Sequence, residues 1–152
     1  MTKRSSTNEP PEITFFTDRD LGPTVATELT DGGLQVEPYA RHFALDNVPD
    51  TTWLRFVGDR GWVALTHNKY IRWERAELDE LMLAGVRAFF IIGKGPHCEF
   101  ARAVIDCYDD IRAFLRENPG PFAARLYQQT REVKMWLTLE EWKAQREKSR
   151  RR

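Results

Sequence analysis

Three short runs of consecutive, mostly apolar residues constrain this chain more than any other feature: ITFFT at 13–17, WVALT at 62–66 and VRAFFII at 86–92. Runs this short suit strands rather than helices, and none has the regular polar alternation of a strand with one wet face. The sheet they form is therefore predicted to be covered on both sides. A further strand begins at Leu34–Val36, and two more are expected near the end, at Ala123–Tyr127 and Glu132–Leu137.

Between the runs the apolar spacing changes from strand-like to helical. Pro23, then Val25, Ala26 and Leu29 on one face, then Gly32-Gly33 as a stop, describe a short helix. Asp50 opens another with Trp53, Leu54 and Val57, ended by Gly58 to Gly61. Glu77–Ala84 carries Leu78, Leu81 and Met82 and stops at Gly85. Phe100, Val104, Cys107, Ile111 and Phe114 predict one longer helix that ends before Pro119, and a last charged helix starts near Leu139. Residues 40–49 have no period and read as a connecting loop.

Alternating strands and helices with buried strands are the signature of an α/β fold with a mainly parallel sheet. Right-handed crossovers place the C-terminal ends of such strands at one edge, where open parallel sheets carry their sites. The polar residues just beyond the strands are accordingly the ones to inspect.

Composition narrows the function classes. With 152 residues, 41% of them hydrophobic and 30% charged, the chain suits a single domain that needs no disulfide or metal staple. The organisation expected is a flexible lead over 1–12, an ordered domain over 13–138, and a basic helix or tail over 139–152. The formal charge is zero, but the last ten residues carry +5, which leaves −5 on the rest. A mildly acidic body argues against generic nucleic-acid binding over the whole surface, and the arginine end is the electrostatic pointer to phosphate. Cys98 and Cys107 have no CxxC spacing, so reduced, buried or half-buried thiols are expected. With no long apolar span and no signal-peptide pattern, a soluble, cytoplasmic protein is predicted.

Asp18 and Asp20 follow the first strand, Thr66, His67 and Asn68 the third, and Gly93, Lys94 and Gly95 the fourth, while Asp50 precedes the second helix. Carboxylates gathered at a strand edge bind Mg²⁺ or Mn²⁺, because hard cations prefer oxygen ligands. Each residue also has a plainer reading. Asp18 or Asp20 can cap the helix near Pro23, Asp50 reads as a helix cap, and Asn68 suits a turn. A lone His67 is more often structural than catalytic. Gly-Lys-Gly is too short for a phosphate loop, and Ser occurs only at 5, 6 and 149, which removes a serine nucleophile from the core.

Taken together, FFTDRDLG after the first strand, PDTTWL opening a helix, GWVALTHNKYIRW and a closing GPFAARLY resemble the PIN-like domains, in particular the compact VapC-type toxin ribonucleases. The resemblance runs from about Ile13 to Tyr127. It implies a three-layer α/β/α sandwich with a C-terminal hairpin and helix, and a Mg²⁺ or Mn²⁺ site for RNA cleavage. By position it makes Asp18, Asp50 and Asn68 the metal-holding and catalytic set. Beside the resemblance, Arg19 and Arg72 are placed to meet phosphate oxygens, with a solvated face as the equal alternative, and Thr66 is a further substrate-side candidate. Asn68 departs from the aspartate such domains often have there; its amide offers an oxygen but no charge.

Three functions compete on this basis. One is a metal-dependent endoribonuclease, the toxin of a type II pair whose helix-turn-helix antitoxin covers the acidic edge. Another is a non-catalytic PIN-like binding module with a lapsed site. The third is an RNA-binding domain that works through the C-terminal arginines. Trp136 and Trp142 read as core residues, with a homodimer contact as the alternative.

Overall fold

The computed structural model describes residues 13–44, 48–67 and 75–150. The expected lead over 1–12 lies outside these residues. Among them, six strands form one sheet in the order β2-β1-β3-β4-β5-β6: β1 (Thr14–Thr17), β2 (Gln35–Pro38), β3 (Val63–His67), β4 (Arg87–Ile92), β5 (Phe122–Tyr127) and β6 (Val133–Thr138). The first five run parallel, and β6 returns antiparallel to β5 as a hairpin. The seven α-helices of the described residues are α1 (Gly22–Asp31), α2 (Tyr39–His42), α3 (Asp50–Arg60), α4 (Arg75–Leu83), α5 (His97–Asp106), α6 (Tyr108–Glu117) and α7 (Leu139–Arg150).

The apolar runs become strands because both of their faces are covered. Phe15, Leu65 and Phe89 join one core with α1, α5 and α6. Their neighbours Phe16, Ala64 and Phe90 join a second core with α3, α4 and α7. Successive residues of a strand point to opposite faces, so each Phe pair serves both layers at once. Phe15, Phe16, Phe89 and Phe90 are all fully buried, and burial of this kind stabilises by about 1.5–3 kcal/mol per side chain. The result is the α/β/α sandwich.

Two elements differ from expectation. The stretch read as a loop from residue 40 begins inside a single helical turn, α2, where Tyr39 is buried against Phe16 and Phe43. One turn is too short to register as a period. The single helix expected through Phe114 is two, α5 and α6, broken at Cys107, whose backbone (φ −95°, ψ 8°) leaves the helical basin. Phe100, Val104, Cys107 and Ile111 nevertheless face the same core, so their spacing stays helical across the break.

The C-terminal helix belongs to the second layer. Trp142 is buried there and its indole N–H donates to Asp79 of α4 at 2.8 Å. Arg75 and Arg146 flank the same carboxylate at 3.4 and 3.7 Å. Trp136, half-buried, meets Phe90 edge-on and lies under the Arg125 guanidinium. Of the two thiols, Cys107 is buried and Cys98 is exposed, so the expectation of buried or half-buried holds for Cys107 alone. No helix of the described residues is long and apolar enough to cross a membrane.

Candidate acidic site at the sheet edge

Asp18 sits where β1 ends. Its backbone N–H still donates to Leu65 O of β3 at 3.1 Å, so the main chain is held to the sheet while the side chain turns into the edge. One carboxylate oxygen, Oδ1, accepts from the Asp20 backbone N–H at 3.3 Å and caps the 3-10 turn Arg19–Leu21. The other, Oδ2, accepts from the Thr66 hydroxyl of β3. Asp18 is thus both a local cap and a link across two strands, and only 7% of it is exposed.

Burial is the main reason the Asp18 carboxyl is pushed up from 3.8 to about 6. The Thr66 hydroxyl pulls it back down, the negative charges of Asp20 and Asp50 raise it further, and the Asp20 N–H lowers it. No salt bridge reaches Asp18 among the described residues; Arg19 pairs loosely with Asp20 at 3.9 Å instead. The edge therefore holds an excess of negative charge in a poorly solvated place.

Asp50 reaches this edge from the opposite layer. The expectation that it caps its helix is corrected: Pro49 is the N-cap, Asp50 is the first helical residue, and no side-chain cap bond forms. Its Oδ1 instead accepts from the Trp53 indole N–H at 2.9 Å, and Trp53 stacks on Phe16 with ring centres 5.3 Å apart. Phe16 lies two residues before Asp18, so β1 orders both carboxylates. They are close enough for the Asp50 charge to act on Asp18.

Two clefts open beside the pair. One, of about 500 Å³, runs from Asp18 and Arg19 between α1 and α2, past Thr27, Thr30, Tyr39 and Arg41. The other is lined by Arg19, Asp50, Thr51 and Glu77. Arg19, exposed, stands on the rim of both. Glu77 was not singled out in the sequence, because an acidic residue in the first turn of a helix is ordinary.

The remaining candidates separate. Thr66 is buried and its hydroxyl is committed to Asp18. Asn68 and Arg72 lie outside the described residues. His67 turns away from the acids, its Nε2 3.2 Å from Gly93 O and its ring 4.5 Å from Phe100, a structural role. Gly93-Lys94-Gly95 also has a packing explanation. A Cβ on Gly93 or Gly95 would meet Gln128 at 2.1 or 2.5 Å, and the Gly95 N–H donates to Gln128 Oε1 at 3.1 Å.

The donor chemistry decides whether a divalent ion fits. Among the described residues, no group of three or more His, Cys, Asp or Glu could hold a metal ion, which argues against a closed, all-protein cage. Mg²⁺, however, is commonly bound through one or two carboxylates, with water and substrate phosphate completing its shell. Asp18 and Asp50 meet that lesser requirement, and burial together with the Asp20 and Asp50 charges raises the Asp18 pKa. Within these limits the residues fit.

A family model described as a PIN-like domain matches residues 13–93, from the start of β1 to the end of β4. No curated protein and no solved structure matches the chain.

Proposed function

The chain belongs to the PIN-like domain family, a nuclease-type fold, and from that premise we propose that it is a metal-dependent endoribonuclease, the toxin of a type II toxin–antitoxin pair. The observation that carries the reading is Asp18, a carboxyl without a cationic partner among the described residues, drawn up to about 6 by its burial and further by the charges of Asp20 and Asp50. A site that gives up this much solvation to gather negative charge is arranged for a cation.

On this reading Asp18 and Asp50 hold Mg²⁺ or Mn²⁺, and Asn68 adds a neutral amide oxygen. When bound, the ion supplies positive charge to the scissile phosphate and makes water more acidic. The chain's own residues do the rest. Thr66 fixes the rotamer of Asp18 by donating to Oδ2, and Trp53 does the same for Asp50. Arg19, on the rim of both clefts, meets phosphate oxygens, and the 500 Å³ cleft between α1 and α2 accepts the neighbouring nucleotide. Arg72 is assigned to phosphate by its place in the sequence alone. The antitoxin partner is a helix-turn-helix protein that covers the acidic edge.

A second reading, a non-catalytic PIN-like binding module, is favoured by Asn68 in place of an acid and by the lack of a three-acid cluster among the described residues. A cleavage assay with Mg²⁺ and Mn²⁺ titrated against single-stranded RNA separates the two. The parent is expected to cleave, Asp18→Asn to be silent while still folded, and Asn68→Asp to gain on the order of tenfold through the added ligand charge. A rise in Tm with Mg²⁺ in the parent, lost in Asp18→Asn, is the readout independent of activity. Silence in the parent and in Asn68→Asp alike overturns the nuclease and leaves the binding module.

A further inference from the structure

At the end of the sheet opposite Asp18, where the parallel strands begin, four arginines converge on one cleft of about 450 Å³. Arg60 ends α3, Arg87 opens β4, and Arg112 and Arg116 lie one turn apart on α6. Trp62, half-buried, and Thr14, the first residue of β1, complete the wall. No Asp or Glu lines it among the described residues, and none of the four guanidiniums has a salt bridge there.

The arrangement works against the stability of the free protein. Arg112 and Arg116, at i and i+4, are like charges on one helical face and repel. Arg87 is half-buried with one guanidinium nitrogen on Gly61 O at 3.2 Å, and burial lowers its pKa. Arg60 lies over the Phe56 ring at 3.6 Å and faces Trp62 at 5.7 Å. Several other arginines, Arg41, Arg55, Arg75, Arg131 and Arg146, pair with acids. Among the described residues, the positive charge of this cleft has no acidic partner.

We propose that this cleft is a second RNA contact, which grips the phosphodiester backbone of a single strand at the end of the sheet remote from the acidic site. Guanidinium forks match phosphate oxygens bidentately, and an aromatic side chain inside a basic groove is the stacking platform that distinguishes a single-stranded nucleic acid from a free anion. The four residues of β1 separate the cleft from Asp18, roughly 13 Å at a strand's rise per residue. The choice of RNA rests on the nuclease reading above; the anion-binding geometry does not.

The test measures binding without cleavage. Fluorescein-labelled single-stranded RNA is titrated with the full chain in EDTA at several salt concentrations, followed by anisotropy. The Arg112→Gln/Arg116→Gln variant is expected to bind at least tenfold more weakly, with the salt slope reduced by about 1.4, since each lost phosphate contact on a single strand removes about 0.7. Arg112→Lys/Arg116→Lys keeps the slope, and a melting temperature no lower than the parent's in both variants excludes a folding defect. Unchanged affinity in the glutamine variant overturns the proposal. So does loss of binding only in Lys148→Gln/Arg150→Gln, which would move the contact to the basic tail, or competition by inorganic phosphate with no dependence on RNA length. Because EDTA removes the ion, failure of metal-dependent cleavage leaves this measurement intact, and the two readings fail separately.

Discussion

The Thr66 hydroxyl donates to Asp18 Oδ2, joining neighbouring parallel strands through residues 48 positions apart. This bond favours the ionised carboxylate and opposes the burial that disfavours it. Thr66→Val keeps the shape and removes the donor, so the Asp18 pKa is expected to rise above about 6, and any metal-dependent activity to lose its acid limb at a higher pH. Thr66→Ser should behave as the parent. The pKa, followed by the carboxyl carbon's NMR titration, checks this; an unmoved value would mean the hydroxyl does not tune the acid.

Asp18 also predicts how stability depends on pH. The unfolded carboxyl titrates near 3.8 and the folded one at about 6, so between these values the folded chain binds more protons than the unfolded one. Stability from this group is full below about pH 4 and is lost as pH rises through 6, by ~3 kcal/mol for a rise of this size. In urea denaturation without metal, Asp18→Asn should be more stable than the parent at pH 7.5 and match it near pH 4. Equal midpoints at both pH values would contradict the buried-acid picture.

Helix α3 crosses α4 at a point where only glycine fits. A Cβ on Gly58 would lie 2.3 Å from the Ala84 carbonyl oxygen and 2.9 Å from the Ala84 Cβ. Alanine in a helix interior ordinarily gains about 1 kcal/mol over glycine, but a clash with backbone cannot be relieved by a rotamer change. Gly58→Ala is therefore expected to lose a net 1–2 kcal/mol or so by chemical denaturation. Gly95→Ala instead meets the flexible end of Gln128 at 2.5 Å, and should cost less and be partly restored by Gln128→Ala.

Trp142 fastens the last helix to the second layer. Trp142→Ala empties a buried site and frees the Asp79 carboxylate of its indole donor, with an expected loss of about 3–5 kcal/mol. Trp142→Phe keeps most of the apolar contact and should cost markedly less, because Arg75 and Arg146 still flank Asp79. Thermal melts of the two variants rank them, and equal losses would assign the effect to the hydrogen bond rather than to packing.

The parallel strands were legible because WVALT and VRAFFII declare double burial in their composition alone, and β3 and β4 fall within a residue or so of those bounds. The break at Cys107 was not, since the apolar face continues through it and periodicity records faces rather than hydrogen bonds. At the site, Asp18 was legible from its place after β1, whereas the Thr66 bond and the Asp50–Trp53 contact depend on side-chain direction, which spacing does not encode. The arginine cleft left no trace in the sequence, because Arg60, Arg87, Arg112 and Arg116 are brought together only by the crossovers.

Because β1 takes its partners from β2 and from β3, the latter reached only after β2 and three intervening helices, the raised pKa of residue 18 is a property of the finished sheet. A synthetic peptide covering 13–44 contains the aspartate and its capping turn, but neither Thr66 nor the roof of α3, and in it the side chain is expected to titrate as an ordinary wet acid. Whatever chemistry the residue performs is beyond the reach of any fragment that stops short of His67.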